Sequence, residues 1–366
     1  MIDAIKEFLA ERWATLRPGR PPLAGALVAG IDRSPSAKVT VIFFDTAGAP
    51  AAVAKVARAE RAERCVRAEH DALRALRPPG EVDGALGRLP EPLALERVRG
   101  RLVFVQAPMA GVPMSAAYHT PGHTADPARV EADFAAAGSW LSAFQQATRV
   151  ERVVLDAEGV VRHVGGVVDR YRAEIGWSPA EASLFEAVAG RAAELARTTP
   201  LPVTGVHGDF WMGNLLVDGG EVLGVIDWER GQAAGLPFGD VYKFPTSYGF
   251  YLDRAYPGAA GRVPGHPDRR DHERRWRRYG DWANLPGFGY TWFGRGWFPE
   301  LVRRHVDQAL ERLGVPAAAN AVFFPLFLAD QATALDDPAF RAGYRSLLLA
   351  FLTERSSTWL WQASAA

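Results

Sequence analysis

The alternation of apolar and polar positions changes character about a third of the way along the chain. Met1 to about Thr15 carries apolar residues at helical spacing and predicts a short amphipathic helix. From Leu23 the texture is that of strands. Leu23–Ala29 and Lys38–Asp45 are strand candidates, the second rich in β-branched and aromatic residues, with Gly30-Ile31-Asp32-Arg33-Ser34-Pro35-Ser36 between them. Thr46-Ala47-Gly48 signals a turn, and Ala51–Val56 is a third short strand with Lys55 near its end. Helical spacing returns over Arg58–Leu76 and is stopped by Pro78-Pro79-Gly80. Leu93–Val98 and Leu102–Gln106 meet at Arg99-Gly100 as a hairpin, and Ala107-Pro108-Met109-Ala110-Gly111 then breaks regular structure. Beyond it Val130–Thr148, Val161–Ile175 and Pro179–Thr198 have the period of amphipathic helices, while 257–271 reads as a polar, Pro/Gly-rich loop. The pattern predicts a strand-rich N-terminal lobe over 1–106, a connector over 107–115 and a mostly helical lobe over 116–366.

Composition narrows the setting. With 48% hydrophobic and 23% charged residues in 366, the chain reads as globular. No apolar run reaches the ~18–20 residues that span a membrane, and the N-terminus mixes acid and base early, unlike a secretory signal. Cys65 is the single cysteine, so no internal disulfide is expected and the reducing cytoplasm is the expected location. A formal net charge of zero gives no electrostatic reason to expect nucleic acid as a partner, and no protein partner is evident. The basic residues are nearly all arginine. Lysine occurs only as Lys6, Lys38, Lys55 and Lys243, so a retained lysine hints at a need for a compact ammonium.

Inside the helical half lies a different island, over residues 205–229. His207-Gly208-Asp209 is followed by Asn214 and the apolar run Leu215-Leu216-Val217; after Asp218-Gly219-Gly220-Glu221 comes Val222-Leu223-Gly224-Val225-Ile226-Asp227-Trp228-Glu229. Two short apolar runs around Gly-Gly make a hairpin, with Asn214 just before its first strand and Asp227 just after its second. These residue types suit phosphoryl transfer, whose loose transition state asks the protein mainly to position the phosphoryl group and neutralise its charge through metal ions. Mg²⁺ takes oxygen ligands, which Asp227 and Asn214 provide as carboxylate and amide. Asp209 is then placed to accept the hydrogen bond of the incoming hydroxyl.

His207-Gly208-Asp209 with Asn214, followed by Ile226-Asp227-Trp228-Glu229, resembles the aminoglycoside phosphotransferase/choline kinase family. The resemblance covers most of the chain. It implies an α+β, bilobal protein-kinase-like fold, with a small N-terminal lobe of five antiparallel strands plus a helix and a large, mostly helical C-terminal lobe. It implies ATP and Mg²⁺ as cofactors and a small hydroxylated molecule as substrate. Lys55 falls where the family's third-strand lysine holds the ATP phosphates, and Glu69 where the next helix supplies its partner. Gln106, Pro108 and Met109 fall on the connector that grips adenine. Ser34 and Ser36 stand in a phosphate-covering loop that has a single glycine, a departure from the glycine-rich kinase loop. Asp240, in Gly235-Leu236-Pro237-Phe238-Gly239-Asp240, matches an element behind the site that is normally structural, and His207 is expected to brace the loop.

The substrate is expected to meet the region 240–300, which is crowded with aromatics. Tyr248, Trp276, Trp282 and Trp292, together with Glu229, are the candidates for substrate contact. Nine arginines between Arg254 and Arg295 outnumber the acids there, which leans away from a polycation and towards a neutral or anionic acceptor. The expectation is O-phosphorylation of a sugar, nucleoside or sugar-bearing natural product. An aminoglycoside-type resistance kinase is the near alternative, and a non-catalytic nucleotide-binding scaffold is the alternative from another class.

Overall fold

The strand-rich stretch pairs as predicted. β1 (Leu23–Ile31), β2 (Lys38–Asp45), β3 (Pro50–Ala57), β4 (Pro92–Val98) and β5 (Arg101–Gln106) form one sheet in the order β1-β2-β3-β5-β4. Every neighbouring pair is antiparallel. The computed structural model describes residues 1–31, 38–77, 82–150, 154–155, 157–252, 266, 269–334 and 337–362. Ser34 and Ser36, the helix stop at Pro78-Pro79-Gly80 and 257–265 of the expected loop lie outside the described residues; 269–271 of that loop form the first turn of a helix, Arg269–Trp276. Arg99 and Gly100, at the β4–β5 hairpin, both take positive φ (48° and 81°), the two-residue turn whose twist matches the flanking strands.

Contacts group the chain into two compact units. One comprises Met1–Val112, His207–Asp209 and Asn214–Ala233; the other comprises Pro113–Val206, Phe210–Gly213 and Ala234–Ala366.

In the first unit the sheet is covered on one face by α1 (Ile2–Leu16), whose Ile5, Leu9 and Trp13 recur every four residues. They bury against Val41 and Phe43 of β2, Ala52, Ala54 and Val56 of β3, and Val103 and Val105 of β5. Each aliphatic side chain so buried contributes about 1.5–3 kcal/mol. Because strand side chains alternate, this register turns Lys38, Thr40 and Lys55 to the opposite face. α2 (Glu60–Leu76) starts two residues later than the pattern predicts and buries Ala62, Val66, Glu69, Leu73 and Leu76, a helical stripe with one acid in it. His70 meets Phe104 of β5 edge-on at 5.5 Å.

The second unit is helical. Pro127–Ala147 begins three residues before the predicted Val130, because Asp126 caps it through Ala128 N–H and Pro127 suits a first turn that needs no donor. Pro179–Thr198 opens on a capping box between Ser178 and Glu181. Asn320–Ala334 is buried nearly all round and carries part of the aromatic core, which includes Tyr242, Phe288, Trp292, Phe324 and Phe351. Among the described residues no single helix is long and apolar enough to cross a membrane.

One histidine in this core sets an acid limit on stability. His305 is 6% exposed, lies edge-on to Phe134 at 5.3 Å, and has no hydrogen-bond partner on Nε2 among the described residues. Burial, helped by the Arg312 charge, pushes its pKa down from 6.5 to about 4. The unfolded chain therefore takes up a proton below pH 6.5 that the folded chain refuses until about pH 4. The contribution that neutral His305 makes to stability is expected to be complete above that window and to be lost as pH falls through it, by up to about 3 kcal/mol. His305→Gln is expected to flatten this dependence; melting temperatures between pH 7 and pH 4.5 check it, and parallel slopes for both proteins refute it.

Candidate active site

The island reads out as a hairpin with chemistry at one end. Leu215–Asp218 and Glu221–Val225 pair antiparallel, and Gly219 and Gly220 make the tight turn with φ of 57° and 84°. At the open end Ile226 N–H donates to Asn214 O at 3.0 Å, which holds the residue before the first strand beside the residue after the second. Asn214 and Asp227 therefore leave the ladder together.

His207 ties the preceding loop to that end. Its Nε2–H donates to Ile226 O (2.9 Å) and its Nδ1 accepts from Asp209 N–H (3.2 Å), so both ring nitrogens are used and the tautomer is fixed. The ring is fully buried, 4.5 Å from Trp228. Gly208 has φ +79°, and a Cβ there would stand 2.6 Å from Arg230 O, so only glycine lets the loop pass. Asn214 Nδ2 donates to Asp209 O at 2.9 Å and to Asp209 Oδ2 at 3.3 Å. This spends the amide donors on the loop and leaves the amide oxygen as an acceptor.

Asp227 adopts φ +63°, in the left-handed region that aspartate tolerates better than most residues. Such an outlier points to function. Its Oδ1 accepts from Lys55 Nζ, which also donates to Glu69 Oε1. Lys55 and Glu69 are nearly closed from solvent (4% and 0%), whereas Asp227 keeps 39% of its side chain exposed, open to a further cation. Burial alone would raise the Asp227 carboxyl; the Lys55 and Lys38 ammonium groups outweigh that and hold it well below the usual carboxylate range. Trp228 N–H adds a contact to Glu69 Oε1 at 3.3 Å.

Lys38 was not singled out by the motif. It donates to Glu229 Oε2 and stands 3.6 Å from Asp227 Oδ1 and 3.7 Å from Glu69 Oε2. The signal that could have found it is the scarcity of lysine: two of the four in the chain meet here. Burial alone would lower its pKa, but Glu69, Asp227 and Glu229 together raise it well above the ordinary value.

The connector residues belong to the same unit. Gln106 is buried and its Oε1 has no hydrogen-bond partner among the described residues. Pro108 and Met109 are half-buried; Met109 Cβ lies where a side chain on Gly224 would have to go, at 2.7 Å. Asp240 is buried in the other unit, in the first turn of the helix Phe238–Phe250.

The four aromatic substrate candidates are dispersed through the second unit. Tyr248 is fully buried and donates to Asp133 Oδ2 at 2.7 Å. Trp276 and Trp292 are closed inside the aromatic core, and Trp282 is half-buried between Phe250 and Tyr344. In this structure they pack the fold. Glu229 is drawn to Lys38 instead, in the first unit. Two of the arginines counted as an electropositive surplus, Arg275 and Arg278, both donate to Glu354.

Residues 36–234 match the family described as phosphotransferase enzyme family (APH). Among curated proteins none matches the sequence. Solved structures similar to the chain include the streptomycin–ATP ternary complex of APH(2")-IIa, with 11% identity, 97% of this chain and 98% of that one covered, and a TM-score of 0.46. Macrolide 2'-phosphotransferase MphH from Brachybacterium faecium has 17% identity, with 94% and 98% covered and a TM-score of 0.43. A glucosamine kinase has 17% identity, with 92% and 77% covered and a TM-score of 0.46.

Proposed function

We propose that this chain, which belongs to the phosphotransferase enzyme family, is a small-molecule kinase that transfers the γ-phosphoryl group of ATP, with Mg²⁺, to a hydroxyl of a sugar, nucleoside or sugar-bearing natural product. The observation that carries this reading is the convergence of Lys55, Glu69, Asp209, Asn214 and Asp227, drawn from a strand, a helix and two loop ends, within one compact unit.

The residues fit the groups they would hold. The Asn214 amide oxygen and the Asp227 carboxylate form an all-oxygen donor set, which suits a hard cation that keeps waters and phosphate oxygens as its other ligands. Bound Mg²⁺ supplies charge neutralisation for the phosphoryl group in flight. Lys55, kept in place by Glu69, is the ammonium for the nucleotide phosphates. The Oε1 of Gln106, which has no partner among the described residues, and the flank of Pro108 and Met109 suit a polar, planar base. Asp209, with Oδ2 steadied by Asn214, accepts the proton of the acceptor hydroxyl and orients it for in-line attack. His207 acts at one remove, as an internal support of the loop, and Asp240 as a buried support within its own unit.

The arginine balance of 240–300 still supports a neutral or anionic acceptor, though less strongly once Glu354 has claimed Arg275 and Arg278. ADP release from ATP and Mg²⁺, screened over sugars, nucleosides and aminoglycosides, tests the reading. Release that depends on one acceptor class and stops with EDTA is expected; release on aminoglycosides alone would select the resistance kinase. Tight nucleotide binding without turnover on any acceptor would select a scaffold.

A further inference from the structure

The family motif accounts for one lysine beside Asp227, and the structure holds two. Lys38 opens β2 and faces the same side of the sheet as Lys55. In the β2–β3 register Lys55 lies opposite Thr40 and Lys38 opposite Ala57, so the two lysines are diagonal neighbours across the pair. That spacing of about 7–8 Å is within reach of two long side chains. Each has its own glutamate: Lys55 donates to Glu69 and Lys38 to Glu229. Both ammonium groups face Asp227 Oδ1.

Resting on the phosphotransfer reading, we propose that Lys38 is a second phosphate-binding residue for the nucleotide, and that Glu229 is the positioning residue that aims it. The Lys38 side chain is only 17% exposed and Glu229 33%, so the pair is partly desolvated. Desolvating an ion pair costs about as much as its attraction returns, so fold stability alone is a weak reason for it. The cluster also carries three carboxylates against two ammonium groups. A divalent cation at Asp227 would leave both lysines free to turn donors elsewhere. An ammonium has three donors, enough to keep its glutamate and take a phosphate oxygen at once. Thirty-eight of the chain's forty-two basic residues are arginine, the other four being lysine. A guanidinium is a wide planar fork; a point charge between three carboxylates and a polyphosphate calls for lysine.

Calorimetric titration of the full chain with Mg·AMP-PNP and with adenosine tests this. Lys38→Met is expected to weaken Mg·AMP-PNP binding about 10–100-fold, the loss of one charged contact, and to leave adenosine within about twofold. Glu229→Gln is expected to weaken Mg·AMP-PNP less, and the double variant to lose no more than Lys38→Met alone, as one acts through the other. Lys38→Gln, with its polar stem, replaces Lys38→Met should the latter melt far below wild type. Unchanged Mg·AMP-PNP affinity in either Lys38 variant overturns the role of Lys38 and leaves the phosphotransfer reading standing. Equal losses for AMP-PNP and adenosine overturn it too, as damage to the fold. Wild-type protein that binds adenosine no more weakly than Mg·AMP-PNP overturns both.

Discussion

Asp209→Asn is expected to cut turnover by about 10²–10⁴-fold, the usual worth of a general base, while Mg·AMP-PNP affinity stays within about twofold. The substitution keeps the shape of the side chain. Asparagine can still meet Asn214 Nδ2 through its amide oxygen, as Asp209 Oδ2 does at 3.3 Å, and the main-chain contacts at Asp209 O and N–H do not depend on the side chain. What is lost is the capacity to take a proton from the acceptor hydroxyl. An interaction made only on the way to the transition state lowers kcat and kcat/KM together and leaves KM nearly fixed. A coupled assay of ADP release over a range of acceptor concentrations reads this pattern. A variant with KM raised and kcat untouched would place Asp209 in substrate binding, and activity within tenfold of wild type would remove it from proton transfer.

The parts of this site that are legible in the sequence are those fixed by local rules. Lys55 could be placed because the turn at Thr46-Ala47-Gly48 opens its short strand and a helical pattern follows it, and register then decides its face. Asn214 and Asp227 could be paired because Gly219-Gly220 admits the positive φ of a two-residue turn. Glu69 could have been separated from Glu60 and Glu63 with more force. It interrupts the apolar stripe Ala62, Val66, Leu73, Leu76, and an acid on a buried stripe needs a buried partner, while Glu60 is exposed and Glu63 pairs with Arg97 at the surface.

What stayed hidden depends on residues far apart in the chain. Lys38 meets Glu229 across 191 positions, and no periodicity in β2 announces which loop its outer face will see. The aromatic stretch has the same problem in another form. Tyr248, Trp276 and Trp292 are spaced as either a ligand wall or a core would be, and their burial is set by helices that no local pattern brings together. The arginine count has a like dependence, since Arg275 and Arg278 find a carboxylate at Glu354, more than seventy residues away.

Asp227→Asn is expected to abolish the Mg²⁺ dependence of nucleotide binding and to lower turnover by about 10³-fold or more, in line with the several kcal/mol that a metal ion contributes to stabilising transferred charge. Asparagine is the informative replacement because it tolerates φ +63° nearly as well as aspartate, so the backbone at the strand end need not move. Lys55 retains Glu69, and Lys38 retains Glu229, so neither ammonium is stranded by the change. The fold is therefore expected to survive. Its acid response sharpens the attribution. The carboxyl of Asp227 is held below the usual carboxylate range, so its contribution to stability is present above the unfolded pKa and lost as pH falls through the folded one. At neutral pH the wild type has that contribution in full and Asp227→Asn lacks it at every pH, so the two melting curves should approach each other only in strong acid. Titrating ATP with and without Mg²⁺ separates the effects: a metal ligand shows as loss of the Mg²⁺ increment with the metal-free affinity kept. A variant that still gains affinity from Mg²⁺ as wild type does would mean that Asp227 serves Lys55 and not the metal.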